Sequence, residues 1–154
     1  LIKDGKKIDS GSVSNILNRS SFVDLTGKFE SSSVLEGIVS RHDQNLHMTT
    51  LDLNGQKLIV PGLPGKLNDI VRVRIRSRDI LLSSSRIKTQ ITENELQGLI
   101  SSIEIEKNSA FSELVIELKN LKNNGKKQKI RARITTYKLQ NLKLSILEII
   151  LLKK

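Results

Sequence analysis

The most constraining feature of the sequence is the stretch 71–76, in which aliphatic residues and arginines alternate as Val, Arg, Val, Arg, Ile and Arg. Successive side chains of a β-strand point to opposite faces, so this order places the aliphatic residues on one face and the arginines on the other. A helix, with its period of 3.6 residues, would mix the two sets. The stretch therefore predicts a strand with one buried and one exposed face.

Similar patterns surround this strand. Asn54-Gly55 is a typical two-residue hairpin turn, and the segment 61–65, which contains both prolines, predicts an irregular corner. Five short strands separated by such turns indicate a small antiparallel barrel of the oligomer-binding type. The predicted strands lie near residues 34–41, 47–53, 56–60, 70–76 and 79–84.

The same order of strand and turn signals then recurs later in the chain. The segment 96–101, Leu-Gln-Gly-Leu-Ile-Ser, repeats the segment 35–40, Leu-Glu-Gly-Ile-Val-Ser, at a spacing of 61 residues. Residues 129–134 form another alternating strand, and Ile149 begins a final apolar strand. We therefore predict two copies of one unit. The expected domains are a lead-in and linker over 1–33, a first barrel over 34–85 and a diverged second barrel over 86–154.

The lead-in carries a hairpin signal at Asp4-Gly5, a short helical pattern near 13–17 and a weak strand signal at 21–25. A chain that starts at Leu1 rather than at methionine is expected to be a fragment of a longer protein. No signal peptide is recognisable, and the apolar run 144–152 is too short for the roughly 20 residues of a membrane-spanning helix.

The composition favours an anionic partner. Among 154 residues, 26 lysines and arginines face 16 acidic residues, a net charge of +10. Such a surface attracts nucleic acid, anionic lipid or a small oxyanion. One tyrosine, three phenylalanines and no tryptophan leave few platforms for base stacking, which disfavours nucleic acid. The absence of cysteine removes disulfides, thiol nucleophiles and thiolate metal sites.

No pattern predicts catalysis on this chain. The segment 62–67 has a glycine and a lysine but not the spacing of a nucleotide-binding loop, so it predicts a turn. His42 and His47 are five residues apart, and without further ligands they indicate solvated hairpin residues rather than a metal site. No serine, histidine and aspartate spacing matches a nucleophile elbow. We predict neither a catalytic residue nor a metal.

The arginine strand has two interpretations. Guanidinium groups bind tetrahedral oxyanions and phosphates through paired, charge-assisted hydrogen bonds. Alternatively, the arginines are the water-facing side of a half-buried strand. The residues alone leave both open.

Several segments resemble a known family. Residues 37–43, 50–53, 60–61 and 72–80 resemble the C-terminal molybdate-binding region of the ATP-binding subunit of molybdate ABC importers, a tandem of Mop-type (TOBE) barrels. Residues 4–17 are similar to the last hairpin and helix of an ABC nucleotide-binding domain. The resemblance implies an all-β fold: two tandem, five-stranded, OB-like antiparallel barrels after a short hairpin and helix.

The resemblance also implies site residues. In the first unit, the segment that binds the oxyanion in this family corresponds to Arg76, Ser77 and Arg78. The second unit retains Asn94 of the opening segment, but Glu93 replaces an arginine there and would repel a dianion. The remaining implied ligands of the second unit are Thr135 and Lys153.

By this resemblance the chain is a non-catalytic regulatory tail that binds molybdate or tungstate, with no cofactor. The Walker motifs of the ATPase are absent, so ATP would bind only in the domain that precedes this region. The expected partners are a second copy of the subunit and a membrane permease, in the cytoplasm at the inner membrane. The alternatives are a structural or dimerising tail of an importer for sulfate, iron or sugar, and an OB-like nucleic-acid-binding protein.

Overall fold

The computed structural model describes residues 2–3, 5–7, 10–11, 31–83, 94–122, 126–141 and 149–152, with the backbone alone for 2–3 and 149–152. The helix expected near 13–17 and the strand expected at 21–25 lie outside these residues. Two short strands of the lead-in pair through Ile2 opposite Lys7, which confirms the predicted hairpin.

The described part of the chain is almost entirely β-strand, which confirms the predicted all-β class. A 3-10 turn covers Ser77–Asp79, and one short helix, α1, covers Thr136–Asn141. The strands are β1 (Ile2–Lys3), β2 (Lys6–Lys7), β3 (Ser32–Asp43), β4 (Met48–Leu53), β5 (Gln56–Pro61), β6 (Ile70–Arg76), β7 (Ile80–Ser83), β8 (Asn94–Ile105), β9 (Phe111–Leu118), β10 (Lys129–Thr135) and β11 (Ile149–Leu152).

Two antiparallel sheets follow the lead-in. The first has the order β5-β4-β3-β6, and the second has the order β10-β9-β8-β11-β7. The predicted turn at Asn54-Gly55 joins β4 to β5, and both residues have positive φ, 54° and 95°, as a tight hairpin turn of this kind requires. In β6 every arginine is exposed and the aliphatic residues between them are half-buried, as the alternation predicts.

The pairing of one strand, β7, differs from that predicted for two successive barrels. β7, expected to complete the first unit, pairs instead with β11 in the second sheet, with Ile80 opposite Leu152 and Ser83 opposite Ile149. The turn at Ser77–Asp79 leads the chain out of β6, after which Ile80 and Leu82 are buried in the common core. The domain limits 1–33, 34–85 and 86–154 stay a prediction.

The predicted duplication is confirmed by the strand register. Ile38 lies opposite Asp52 in the first copy, and Leu99 lies opposite Glu117 in the second. Each copy has a register shift two residues later, between Val39 and Arg41 and between Ile100 and Ser102. At each shift a serine hydroxyl donates to a backbone carbonyl of the next strand. The same bulge therefore bends both copies at the same place.

Both copies contribute to one hydrophobic core. Leu35, Val39 and Leu51 of the first copy are fully buried, as are Leu96 and Leu114 of the second. All belong to a single continuous cluster. Because burial of apolar side chains is the main favourable contribution to folding, neither copy completes its core without the other.

Polar side chains join the copies reciprocally. The amide of Gln128 accepts from the backbone N–H of Glu36 (2.7 Å) and donates to its carbonyl (2.8 Å). The amide of Gln56 accepts from the N–H of Gln97 (2.6 Å) and donates to the carbonyls of Gln97 (3.0 Å) and Lys119 (2.7 Å). Gln56 is the first residue of β5 and bonds to β8 of the second copy. Gln128 directly precedes β10 and bonds to β3 of the first copy. These links place the start of β3 beside β10 and the start of β8 beside β5.

Candidate functional site

The start of β3, the turn at Ser77–Asp79 and β10 meet in a polar contact, here called the β3–β10 interface. The backbone N–H and the hydroxyl of Ser77 both donate to the carbonyl of Ser31, at 2.9 and 2.8 Å. The hydroxyl of Ser33 accepts from the N–H of Arg131 at 2.8 Å. These three serines are almost completely buried, and the hydroxyl oxygen of Ser31 has no hydrogen-bond partner among the residues that the structure describes. The interface therefore contains a buried hydroxyl that is free to donate.

Two arginines of β10 are held in this region by carboxylates. Nη1 of Arg131 lies 3.2 Å from Oε2 of Glu113, and both side chains are about nine-tenths buried. Arg133 binds Glu106 through two parallel contacts of 3.1 and 3.2 Å, and its guanidinium lies 4.5 Å from the ring centre of Phe111. Each buried charge thus has a partner of opposite sign, which offsets the cost of taking it out of water.

The predicted residues of the first unit occupy this interface and its outer edge. Ser77 is buried within it, whereas Arg76 lies opposite Ser32 at the end of β6 and is exposed. Arg78, in the turn itself, is exposed and lies 3.9 Å from Asp79. The side chain of Arg76 has no hydrogen bond or ion pair within the described part of the chain. The structure therefore brings the three together, with two guanidinium groups on the solvent side and one hydroxyl inside.

The predicted residues of the second unit do not form one group. Thr135 is exposed at the end of β10, and its hydroxyl oxygen accepts from the N–H of Lys138 at 3.2 Å in the first turn of α1. Asn94 lies at the other contact between the copies, where its amide accepts from the N–H of Ile59 (2.6 Å) and donates to the carbonyl of the same residue (2.9 Å). Lys153 lies outside the described residues.

Sequence reasoning did not single out Ser31, Ser33, Arg131 or Arg133 as site residues. The alternation in β10 predicts that its two arginines lie on the same face of the strand. It does not show whether that face is exposed to solvent or packed against another strand. A usable signal exists in the glutamate of β9, Glu113, since an acidic residue within a strand that neighbours an arginine-bearing strand favours a cross-strand ion pair.

The two histidines lie in the hairpin formed by β3 and β4. Nδ1 of His42 lies 2.8 Å from the hydroxyl oxygen of Thr49, which itself donates to the carbonyl of Gly62 at 2.8 Å. His47 has positive φ, 50°, in the turn between β3 and β4. Within the described ranges, no group of three or more histidine, cysteine, aspartate or glutamate side chains is arranged to hold a metal ion.

Comparison with known proteins gives a consistent result. No family model matches the chain. It is 29% identical over 105 residues to the molybdenum import ATP-binding protein ModC 1 of Azotobacter vinelandii, 32% identical over 106 residues to ModC of Rhizobium johnstonii, and 31% identical over 105 residues to ModC of Haemophilus influenzae. The chain is a relative of these import proteins. The resemblance stated from the sequence is thereby confirmed.

The match to the ModC proteins covers about two thirds of this chain, 67 to 68%, but only 28 to 30% of each of those three relatives. Among solved structures, the cytoplasmic molybdate-binding protein ModG with molybdate bound has a TM-score of 0.60 and 19% identity, and covers 79% of this chain and 89% of its own. The two chains therefore share a fold. In the described part of the chain, no helix is long and apolar enough to cross a membrane.

Proposed function

We propose that this chain is the regulatory, oxyanion-binding tail of the ATP-binding subunit of a molybdate importer, with molybdate or tungstate as its ligand and no catalytic role of its own. The observation that carries the proposal is the β3–β10 interface. It combines the exposed guanidinium groups of Arg76 and Arg78 with the buried hydroxyl of Ser31, which has no partner among the described residues, around the turn that contains Ser77.

The chemistry of these groups suits a dianion. The charges of Arg131 and Arg133 are balanced by Glu113 and Glu106, and Arg78 is 3.9 Å from Asp79, so the positive charge left for a ligand at this interface comes mainly from Arg76. Arginine offers several donors in a planar fork, and serine and threonine hydroxyls add neutral donors at fixed positions. The similarity to the ModC proteins and the fold shared with the molybdate-binding protein ModG support the choice of ligand.

The location between two copies indicates how binding would regulate the subunit. A ligand that binds more tightly in one arrangement of two subunits than in another biases the subunits toward that arrangement, which requires only a few kcal/mol of differential affinity. In the whole importer this would slow transport when the oxyanion is plentiful. The subunit would act as a homodimer at the cytoplasmic side of the inner membrane, bound to its permease, with ATP in the preceding domain.

The proposal is tested by the melting temperature of the chain with molybdate, tungstate or sulfate at matched ionic strength. A ligand that binds only the folded state at 100 times its Kd adds about 2.7 kcal/mol, which a domain of this size shows as several degrees. We expect molybdate and tungstate to raise the melting temperature more than sulfate does.

The residue-level control compares two arginines of the same sheet. Arg76→Gln should reduce the shift caused by molybdate, whereas Arg41→Gln removes the same charge at the opposite end of β3, about 30 Å away by strand geometry, and should leave the shift unchanged. Equal shifts with all three anions, or none, would instead favour a structural tail. A steep loss of nucleic-acid affinity with rising salt would favour the nucleic-acid alternative.

A further inference from the structure

The strand β6 has an open edge in the described part of the chain. It is the last strand in the order β5-β4-β3-β6, and among the described residues no strand lies beyond it. Its aliphatic residues pack against the common core but are only half-buried, so part of their apolar surface stays uncovered. These residues are Val71, Val73 and Ile75. A strand edge of this kind can accept a further strand.

The ladder between β6 and β3 determines which backbone groups face this edge. Directly after the last pair of the ladder, the N–H of Ser77 donates to the carbonyl of Ser31 at 2.9 Å. In an antiparallel ladder, hydrogen-bonded pairs alternate with pairs whose N–H and carbonyl groups point away from the partner strand. Counted back from Ser77, the backbone groups of Arg72 and Arg74 therefore point towards the outer edge. The side chains of both arginines are exposed.

The second copy shows how the same edge can be completed. At the spacing of the sequence repeat, Asn94 is the counterpart of Ser33. Ser33 lies opposite Ile75 in β6, and Asn94 lies opposite Leu152 in β11, so β6 and β11 are counterparts. β11 lies between β8 and β7, whereas β6 has a described neighbour on one side. The fold therefore contains an example of a strand added to this edge.

The strand added to β11 has a simple pattern. β7 runs antiparallel to β11, and its first residue, Ile80, lies opposite Leu152. Ile80 and Leu82 are buried, whereas Leu81 between them is 36% exposed. The first and third residues of the added strand thus cover the core, and the second faces outwards.

The same register on β6 defines what a fitting segment must contain. Its first and third residues would lie opposite Ile75 and Val73, which favours aliphatic side chains. Its second and fourth residues would lie opposite Arg74 and Arg72, where β11 has aliphatic residues instead. The edge of β6 therefore differs from its counterpart in the charge that it presents.

Carboxylates suit those two positions. Nε of Arg72 lies 3.0 Å from Oε1 of Glu36 with 59% of the arginine side chain exposed, and Nε of Arg74 donates to the hydroxyl of Ser32 at 2.9 Å. A guanidinium has five N–H donors, so Arg72 can bind Glu36 and a further carboxylate together. Opposite charges on neighbouring strands stabilise a sheet, and like charges destabilise it. Charges that keep a strand edge from pairing with similar strands here select an acidic one.

We propose that the outer edge of β6 binds an extended, acidic segment of a partner protein by β-strand addition. Aliphatic residues of the segment cover Val73 and Ile75, and its carboxylates lie opposite Arg72 and Arg74. Main-chain hydrogen bonds supply the affinity, and the alternating side chains supply the specificity. This surface uses none of the residues proposed to bind the oxyanion.

The test is the binding of capped eight-residue peptides to the unmodified chain, measured by fluorescence anisotropy. The probe has the central order Val-Glu-Val-Glu. One control has the same composition in the order Val-Val-Glu-Glu, and the other has lysine in place of glutamate. We expect the alternating acidic peptide to bind at least tenfold more tightly than either control, and to slow hydrogen exchange at the backbone N–H groups of Arg72 and Arg74.

A charge exchange tests the register. Arg74→Glu should weaken binding of the acidic peptide tenfold or more and should allow the lysine peptide to bind, because it reverses one cross-strand pair. The matched variant Lys57→Glu reverses an exposed charge on β5, at the other end of the same sheet, and should leave both affinities unchanged. The melting temperature of each variant establishes that it is folded.

Each other outcome contradicts the proposal. Equal binding of the three peptides, or none, would overturn it, as would equal effects of Arg74→Glu and Lys57→Glu. Slow exchange at Arg72 that rises with protein concentration and needs no peptide would assign the edge to a second copy of the chain instead. These experiments contain no oxyanion, so their outcome leaves the proposed function to its own test.

Discussion

The hydrogen bonds of Gln56 between the two copies predict how much its substitution lowers the free energy of unfolding. Its side chain is 5% exposed and makes three hydrogen bonds, to the N–H and carbonyl of Gln97 and to the carbonyl of Lys119. At about 0.5 to 1.5 kcal/mol for each bond, Gln56→Ala should lower the free energy of unfolding by about 1.5 to 4.5 kcal/mol. Gln128→Ala, which loses two bonds at the counterpart position, should cost about 1 to 3 kcal/mol.

The assay is urea unfolding followed by circular dichroism, with Gln44→Ala as the matched control. Gln44 is exposed in the turn between β3 and β4, so its loss should change the free energy of unfolding by less than about 0.5 kcal/mol. Because the copies share one core, all variants should unfold in a single transition. If Gln56→Ala were no less stable than Gln44→Ala, or if unfolding split into two transitions of which only one moved, the reasoning would be refuted.

Two further predictions concern ion pairs. Burial opposes ionisation of Asp52, but hydrogen bonds from Lys122 and from a backbone N–H outweigh this effect and lower the pKa of Asp52. A carboxyl group with a lowered pKa in the folded state stabilises the fold above its unfolded pKa of about 3.9, and this stabilisation is lost as the pH falls through the folded pKa. Asp52→Asn should therefore flatten the acid limb of a plot of unfolding free energy against pH. Glu113→Ala should cost about 3 to 5 kcal/mol in urea unfolding, because it removes the carboxylate that pairs with the buried guanidinium of Arg131, whereas truncation of the exposed Glu104 should cost little. An unchanged acid limb, or equal costs for the two glutamates, would contradict these explanations.

The sequence contains most of the information about the strands. The alternation in β6, the turn at Asn54-Gly55 and the repeat of Gly37 at Gly98 predict strand positions, one hairpin and the duplication, and all three are confirmed. These features are local or periodic, so they are readable without knowledge of the tertiary structure.

The pairing between distant segments was not predictable in the same way. Alternation shows that Ile80 and Leu82 have an inward face, but it does not select β11 over a strand of the first sheet as their partner. The bonds of Gln128 to Glu36 join residues 92 positions apart through side chains, and such bonds leave no periodic trace. The one sequence signal was that the counterpart positions 56 and 128 are both glutamine.

The same reason limits prediction of the site. Resemblance placed Ser77 and Thr135 in different units, yet the exchange of contacts between copies brings their strands to one interface. It also grouped Asn94 with Thr135, although Asn94 binds Ile59 at the other contact. A local alignment assigns residues to copies, whereas the interfaces combine the start of one copy with the end of the other.

The reciprocal contacts have a consequence for synthesis on the ribosome. The hydrogen bond between Ser33 and Arg131 joins residues 98 positions apart, and β7 pairs with β11 at the far end of the described chain. When β3 to β6 leave the exit tunnel, the strands that complete their core have not been made. Folds dominated by such distant pairing form slowly. The first copy therefore stays incompletely folded, with apolar surface exposed, until β10 and β11 emerge from the ribosome. A pause in translation within the second copy would therefore prolong the period in which the nascent chain is prone to aggregation.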